Sequence, residues 1–410
     1  DAEGKEVDNY VVKKLLTKYE SFFRNKKLGS DVFLTMRVPN PKVEKTEAKV
    51  LLETLEGIPR SFDAAKLFYE KDQVPIFEVI LPMCESAEAL HRIYAYYRDF
   101  VVGKQYETFA NSAMRIADWI GEFKPATINV IPLFEDKSHM LNASAILKDY
   151  FAMQKDENIT YQRVFFARSD PAMNYGMISA VLLNKIALYR LDKLQRTLHI
   201  PLYPIIGVGS APFRGNLRPD TVARVSEEYP SAYTFTIQSA FKYDYEPDHV
   251  RKAIDELEAR QVMPAPAIDE AVALDIVERY GKAYATQALD NAVIINRMAK
   301  AIPSRRKRKL HIGLFGYARS VGGMSLPRVI TFTAALYSLG CPPELFGLDA
   351  LTDEDIAFLK QNYVNFEADL LDALKYYNPQ SPCVSPSLAA AIDRLFPDYD
   401  VDKAHRKITS

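Results

Sequence analysis

The sequence predicts an α/β chain folded as a (β/α)8, TIM-like barrel with additional helices. Three observations carry this. Apolar runs of strand length recur along the 410 residues. Amphipathic stretches of helical length lie between them. Polar residues follow the strands repeatedly, at Arg37, Glu78, Glu135, Asp170, the 209–215 loop, Gln238 and Arg319. Strand–helix repeats imply parallel strands joined by right-handed crossovers. An open doubly wound sheet is the main rival, but it binds mostly at one crevice, whereas a barrel collects side chains from many strand ends.

The strand-like runs are 32–38, 76–82, 128–134, 163–167, 203–208, 233–238 and 310–315. Most lack strict alternation, as expected of strands covered on both faces. Stretch 48–55 sets Val50, Leu51 and Leu55 against a polar face with Glu47, Lys49 and Glu53. Ser86 is placed to cap a helix containing Leu90, Ile93 and Tyr94. Stretches 172–188 and 220–228 read as further crossover helices. Those at 247–260, 268–302, 326–339, 353–377 and 387–395 exceed what eight crossovers need. The expected organisation is one barrel domain over 1–410, with helical elaborations at about 247–302 and 326–410.

Composition narrows the class. The chain is 48% hydrophobic and 26% charged, enough to bury a large core, and its net charge of -1 gives no general pull toward nucleic acid or anionic membrane. Cys84, Cys341 and Cys383 are too few and too scattered for a disulfide framework or a zinc site. No apolar run reaches ~18 residues, and Asp1 to Lys5 do not resemble a signal peptide. A soluble cytoplasmic enzyme, with no nucleic-acid or membrane partner, is the default class.

The most informative stretch is the run ending at Val208 and the loop after it. Gly207, Gly209, Ser210 and Gly215 are small residues around Arg214. Such a loop lets backbone N–H groups approach an anion, and arginine presents a rigid donor fork to phosphate or carboxylate. Two neighbouring runs end in carboxylates, Glu135 and Asp136 after 128–134 and Asp170 after 163–167. One or two carboxylates, with water and substrate completing the shell, is how Mg2+ is held. The same residues could equally cap the helices that follow.

Arg37, Arg214, Arg319 and Arg328 stand near strand ends or a helix start, an excess of positive charge that suits a substrate with several negative charges. The basic run 305–309 precedes a strand and reads as a solvated loop rather than a nucleic-acid patch. None of the six histidines falls in a metal-ligand cluster; His139, four residues after Glu135, reads as a surface helix residue. No Walker A motif or nucleophile elbow occurs.

Taken together, 207–217, 166–177 with Ser169 and Asp170, 131–135 and 316–328 resemble the archaeal-type phosphoenolpyruvate carboxylases. The opening Glu3-Gly4-Lys5-Glu6-Val7-Asp8 and the stretch Leu34 to Pro41 are similar too, so the likeness covers essentially the whole chain. It implies a (β/α)8 barrel with extra helices, assembled as a homotetramer. It implies Mg2+-dependent carboxylation of phosphoenolpyruvate by bicarbonate to oxaloacetate and phosphate, through carboxyphosphate and a metal-stabilised enolate, with Mn2+ as an alternative ion. Residue by residue, Glu135 and Asp170 resemble the metal ligands and Arg214 the essential loop arginine. Arg319 and Arg328 resemble the phosphate-binding arginines, and Arg37, Gly209 and Ser210 belong to the substrate site.

Two departures separate the chain from the larger bacterial and plant carboxylases. Their histidine–glycine–arginine loop start reads Ile206-Gly207-Val208, and their lysine three residues after the metal aspartate is Met173. The resemblance therefore does not carry over their aspartate feedback. It also implies a segment before Asp1 with a catalytic histidine on the first barrel strand, so that strand is expected to be missing from the stretch that begins at Asp1.

Overall fold

The computed structural model describes residues 2–3, 10–154, 159–303, 320–321 and 324–400. They divide into two compact units. One takes in the described residues up to Phe134 together with Ala145–Val164; the other takes in Glu135–Ser144 and the described residues from Phe165 onward.

In the first unit, strands β1 (Ala2–Glu3), β2 (Met36–Arg37), β3 (Glu78–Leu81) and β4 (Asn129–Phe134) neighbour one another in chain order, all parallel. Register is set by Met36 opposite Val79 and Glu78 opposite Asn129. Every residue of β3 is buried, and β4 buries five of its six, the signature of strands covered on both faces. The unit also holds helices α1 (Val11–Lys18), α2 (Glu20–Asn25), α3 (Ala48–Tyr69), α4 (Ala87–Ala95) and α5 (Ile116–Ile120).

Helix α3 begins where the 48–55 pattern places it but continues for 22 residues, through Pro59. Its buried face, Leu51, Leu55, Ile58, Phe62 and Ala65, keeps the three-to-four spacing that packing rewards. The cap at Ser86 is as expected: its Oγ accepts from Ala89 N at 3.3 Å. Glu78 departs from its reading as a strand-end group. It opens β3, is 3% exposed, and accepts from Arg163 Nη1 at 2.8 Å and Tyr161 OH at 3.1 Å.

Helix α6 (Lys137–Met153) and strand β5 (Gln162–Ala167) each pass from one unit to the other. In the second unit, β6 (Leu202–Gly207) and β7 (Thr234–Phe235) pair in parallel, with Ile205 opposite Thr234. The helices here are α7 (Ser169–Tyr175), α8 (Met177–Leu198), α9 (Val222–Glu228), α10 (Ser239–Tyr243), α11 (Pro247–Ala259), α12 (Glu270–Asp290), α13 (Ala292–Ala299), α14 (Val329–Ser338), α15 (Asp353–Asn362), α16 (Phe366–Leu374) and α17 (Pro386–Leu395).

Several predicted helices split. The 172–188 stretch becomes α7 and α8, broken at Gly176 with φ 83°. A Cβ at that glycine would lie 2.6 Å from the Tyr280 ring, so the break and the close approach of α12 need the same residue. Stretch 268–302 resolves into α12 and α13, and 353–377 into α15 and α16. Asp269 caps α12 by accepting from Ala271 N and Val272 N, and Thr352 caps α15.

The described residues thus establish an α/β chain with strands β1 to β7 in chain order, many helices, and a short antiparallel pair, Ser320–Val321 with Met324–Ser325. β1 was not among the predicted strands, because Ala2 and Glu3 present no apolar run to read. The 310–315 strand and the basic run 305–309 lie outside the described residues. No helix among those described is long and apolar enough to cross a membrane.

Candidate active site

The loop after β6 is closed by its own backbone. Gly209 N donates to Arg214 O at 2.8 Å, Leu217 N to Gly209 O at 2.9 Å, and Arg214 N to Ala211 O at 2.8 Å. A 3-10 turn over Pro212–Arg214 ends on Gly215 with φ 110°, which an L side chain rarely adopts. The Arg214 side chain is 7% exposed and folds back over Gly209. Its Nε donates to Ser169 Oγ at 3.2 Å and its Nη2 to Gln238 Oε1 at 2.8 Å. Ser169 opens α7 just after β5, and Gln238 is the N-cap residue of α10 just after β7. One guanidinium thereby ties together the ends of three successive strands. Both of these partners are neutral side chains, and the two bonds fix the orientation of the guanidinium.

Gly209 leaves the room this packing uses. A Cβ there would stand 2.7 Å from Arg214 Cζ, closer than real contacts come. We expect Gly209→Ala to displace the guanidinium and lower kcat/KM by roughly tenfold or more, the worth of about one charge-assisted hydrogen bond. Steady-state kinetics on the variant check this; an unchanged kcat/KM would show that Arg214's position is immaterial.

Glu135 follows β4 and Asp170 lies in the first turn of α7; both are half-buried and both belong to the second unit. Neither takes a capping position. Asp136, not Glu135, caps α6, its Oδ1 accepting from Ser138 N at 2.9 Å and His139 N at 3.1 Å. Its Oδ2 meets His139 Nδ1. Burial works to raise the Asp136 pKa, but the hydrogen bonds from the His139 side chain and backbone outweigh it and hold the carboxyl below its ordinary value. The N-cap residue of α7 is Arg168, which leaves Asp170 one residue inside the helix.

Among the described residues no group of three or more His, Cys, Asp or Glu is placed to hold a metal ion. An ion at Glu135 and Asp170 would take its other ligands from water and substrate. That hard, oxygen-only donor set fits Mg2+ and does not fit a structural zinc.

The remaining predicted residues are distributed as follows. Gly209 is buried and Ser210 half-buried in the Arg214 loop. Arg328 is exposed and is the N-cap residue of α14, at the predicted helix start. Arg37 is half-buried in β2, in the first unit. Arg319 lies outside the described residues.

Two residues went unnoticed in the sequence. Arg168, 1% exposed, donates from Nη1 to Phe213 O at 3.2 Å. Glu344, 0% exposed, accepts at Oε1 from Phe213 N at 2.7 Å and from Tyr337 OH at 2.8 Å. Arg168 sits beside the Ser169-Asp170 pair and could have been suspected; Glu344 is 131 residues from Phe213 and carries no local signal. The tail of the loop is anchored as well. Asn216 Nδ2 donates to Asp369 Oδ1 at 2.8 Å, and Arg224 Nη2 reaches the same oxygen at 2.9 Å.

Burial is the main cause that pushes the Glu344 pKa up to about 7. An unfolded glutamate titrates near ~4.3. A carboxyl raised in the native state gives stability that is complete below the unfolded pKa and is lost as pH rises through the native one. The difference corresponds to roughly 4 kcal/mol, lost between about pH 4 and about pH 7. We expect urea unfolding to show wild type losing that much relative to Glu344→Gln across this range. Parallel pH dependences for the two proteins would show that Glu344 does not titrate there.

Comparison with known proteins bears on the whole chain. The family sequence model described as phosphoenolpyruvate carboxylase matches residues 1–409. A curated phosphoenolpyruvate carboxylase of Methanospirillum hungatei is 56% identical, over 100% of this chain and 84% of the relative. That of Methanothermobacter thermautotrophicus is 56% identical with the same coverage. That of Halobacterium salinarum is 47% identical, again over 100% of this chain and 84% of its own. With the family matched from end to end and relatives near half identical, this chain belongs to the phosphoenolpyruvate carboxylases, enzymes of archaeal type.

Proposed function

We propose that the chain carboxylates phosphoenolpyruvate with bicarbonate to give oxaloacetate and phosphate, in the cytoplasm, as a homotetramer of closed barrels. The observation that carries this reading is the buried Arg214, held by side chains at successive strand ends of a chain matched throughout by this family. Glu135 and Asp170 are the residues that would hold Mg2+, or Mn2+ in its place. When bound, the ion supplies Lewis-acid stabilisation of negative oxygen.

Arg319, Arg328 and Arg37 take up the phosphate and carboxylate charge of phosphoenolpyruvate. They bring phosphorus in line with a bicarbonate oxygen. That oxygen forms the new P–O bond while the bond from phosphorus to the enol oxygen breaks, leaving carboxyphosphate and pyruvate enolate. Carboxyphosphate then loses phosphate, and the enolate carbon attacks the released carbon dioxide. Arg214 holds carboxyphosphate and carbon dioxide beside the enolate, with Gly209 and Ser210 of the same loop in contact with substrate. The loop excludes water, because a protonated enolate becomes pyruvate and the phosphoester energy is lost.

The test is label from bicarbonate appearing in oxaloacetate, trapped by reduction to malate, in step with phosphate and dependent on a divalent ion. Label-free product would point instead to a lyase or aldolase acting on the same substrate.

A further inference from the structure

The two peptide groups that lead into Arg214 are each gripped by an ionisable side chain. The N–H of Phe213 donates to Glu344 Oε1 at 2.7 Å, and the C=O of Phe213 accepts from Arg168 Nη1 at 3.2 Å. That carbonyl and the Arg214 nitrogen share one rigid peptide plane. Fixing the carbonyl therefore fixes the point from which Arg214 departs. The phenyl ring between the two grips is itself fully buried, with centroids 6.2 Å from Tyr284 and 6.0 Å from Phe332.

Ionisable groups are costly to bury unless their bonding is satisfied. Here it is not complete. Among the described residues, Glu344 Oε2 and Arg168 Nε are buried without a hydrogen-bond partner. A peptide group could be satisfied by neutral side chains or by water at lower cost. A carboxyl and a guanidinium that both reach one residue of a loop make sense where the placement of the next residue matters more than the cost.

We propose that Glu344 and Arg168 are positioning residues that clamp Phe213 and thereby set Arg214 in its working place. The proposal deepens the reading of Arg214 given above and rests on it for its effect on the reaction. The clamp itself is a matter of geometry and can be tested apart from that reading.

The experiment compares Glu344→Met, which keeps the volume and removes the acceptor, with Glu344→Gln, which keeps an acceptor oxygen. Two quantities are read on the full chain: hydrogen exchange of segment 209–217, and the ratio of pyruvate to oxaloacetate formed. Glu344→Met is expected to speed exchange and raise the ratio, each by roughly tenfold, with kcat falling more than KM for phosphoenolpyruvate rises. Glu344→Gln is expected to keep both near wild type. Wild-type exchange and product ratio in Glu344→Met, or equal damage in Glu344→Gln, would overturn the clamp. Should Arg214→Ala itself leave the product ratio unchanged, the reading of Arg214 fails, and the exchange comparison still judges the clamp alone. If Glu344→Met does not fold, Glu344→Asp, with its carboxyl one methylene short of Phe213, is judged by the same two outcomes.

Discussion

Arg214→Ala is expected to release phosphate from phosphoenolpyruvate in the presence of bicarbonate while delivering pyruvate in place of oxaloacetate. The first half of the reaction needs the phosphate-binding arginines and the metal ligands, which this change leaves in place. The second half needs carbon dioxide kept beside the enolate, which is the task proposed for Arg214. Losing one oriented cation at a developing charge costs on the order of a hundred- to a thousandfold in rate. Oxaloacetate formation should fall by that much, with phosphate release held to within about tenfold of wild type.

Phosphate, pyruvate and oxaloacetate are measured in one mixture, so the ratio is independent of the active fraction. Arg214→Lys should sit between the two. It keeps the charge but not the fork that reaches both Ser169 and Gln238. Oxaloacetate and phosphate in equal amounts from Arg214→Ala, merely at higher KM, would reduce Arg214 to another phosphate anchor.

The second large effect concerns the carboxylates. Replacing residues that merely orient a metal ligand costs about 10- to 100-fold in metal affinity, so removing a ligand should cost at least about a hundredfold. Glu135→Gln and Asp170→Asn should each weaken Mn2+ binding by that amount, read by titration without substrate, and lower carboxylation in parallel. Neither residue is the N-cap of a helix, and the melting temperature of each variant without metal is measured beside the titration. Asp136→Ala supplies the contrast. It disturbs the cap of α6 and is expected to cost about 1 kcal/mol of stability with little change in Mn2+ affinity. Wild-type Mn2+ affinity in both Glu135→Gln and Asp170→Asn would sink the metal assignment.

Much of this was readable from residues alone, and particular positions show why. The apolar runs around β3, β4, β5 and β6 were legible because strands buried on both faces must be apolar nearly throughout. The cap at Ser86 was legible because a cap is a contact between near neighbours in sequence. Carboxylates at the ends of β4 and β5, and the glycine loop after β6, were visible because strand-to-helix junctions expose their chemistry at fixed offsets.

Other features depended on contacts the chain makes only after folding. Whether Glu135 or Asp136 caps α6 turns on one residue of helix phase, which composition does not reveal. The split of 172–188 at Gly176 follows from a tyrosine 104 positions later whose ring fills the space of a Cβ. β1 was invisible because two residues carry no periodicity, and their strand character comes entirely from pairing with β2.

By itself, then, the sequence determined the α/β class, the order of its strands, and the residue types gathered at their ends. Only tertiary structure decided which of those residues meet. Arg214 finds Ser169 and Gln238, and Phe213 finds Glu344 and Arg168, across separations of 24 to 131 residues. Local spacing is written by periodicity and backbone geometry, which act between near neighbours. Long-range pairing is selected by the burial of the whole core, and a polar group's partner is then set by which atoms that burial leaves within reach.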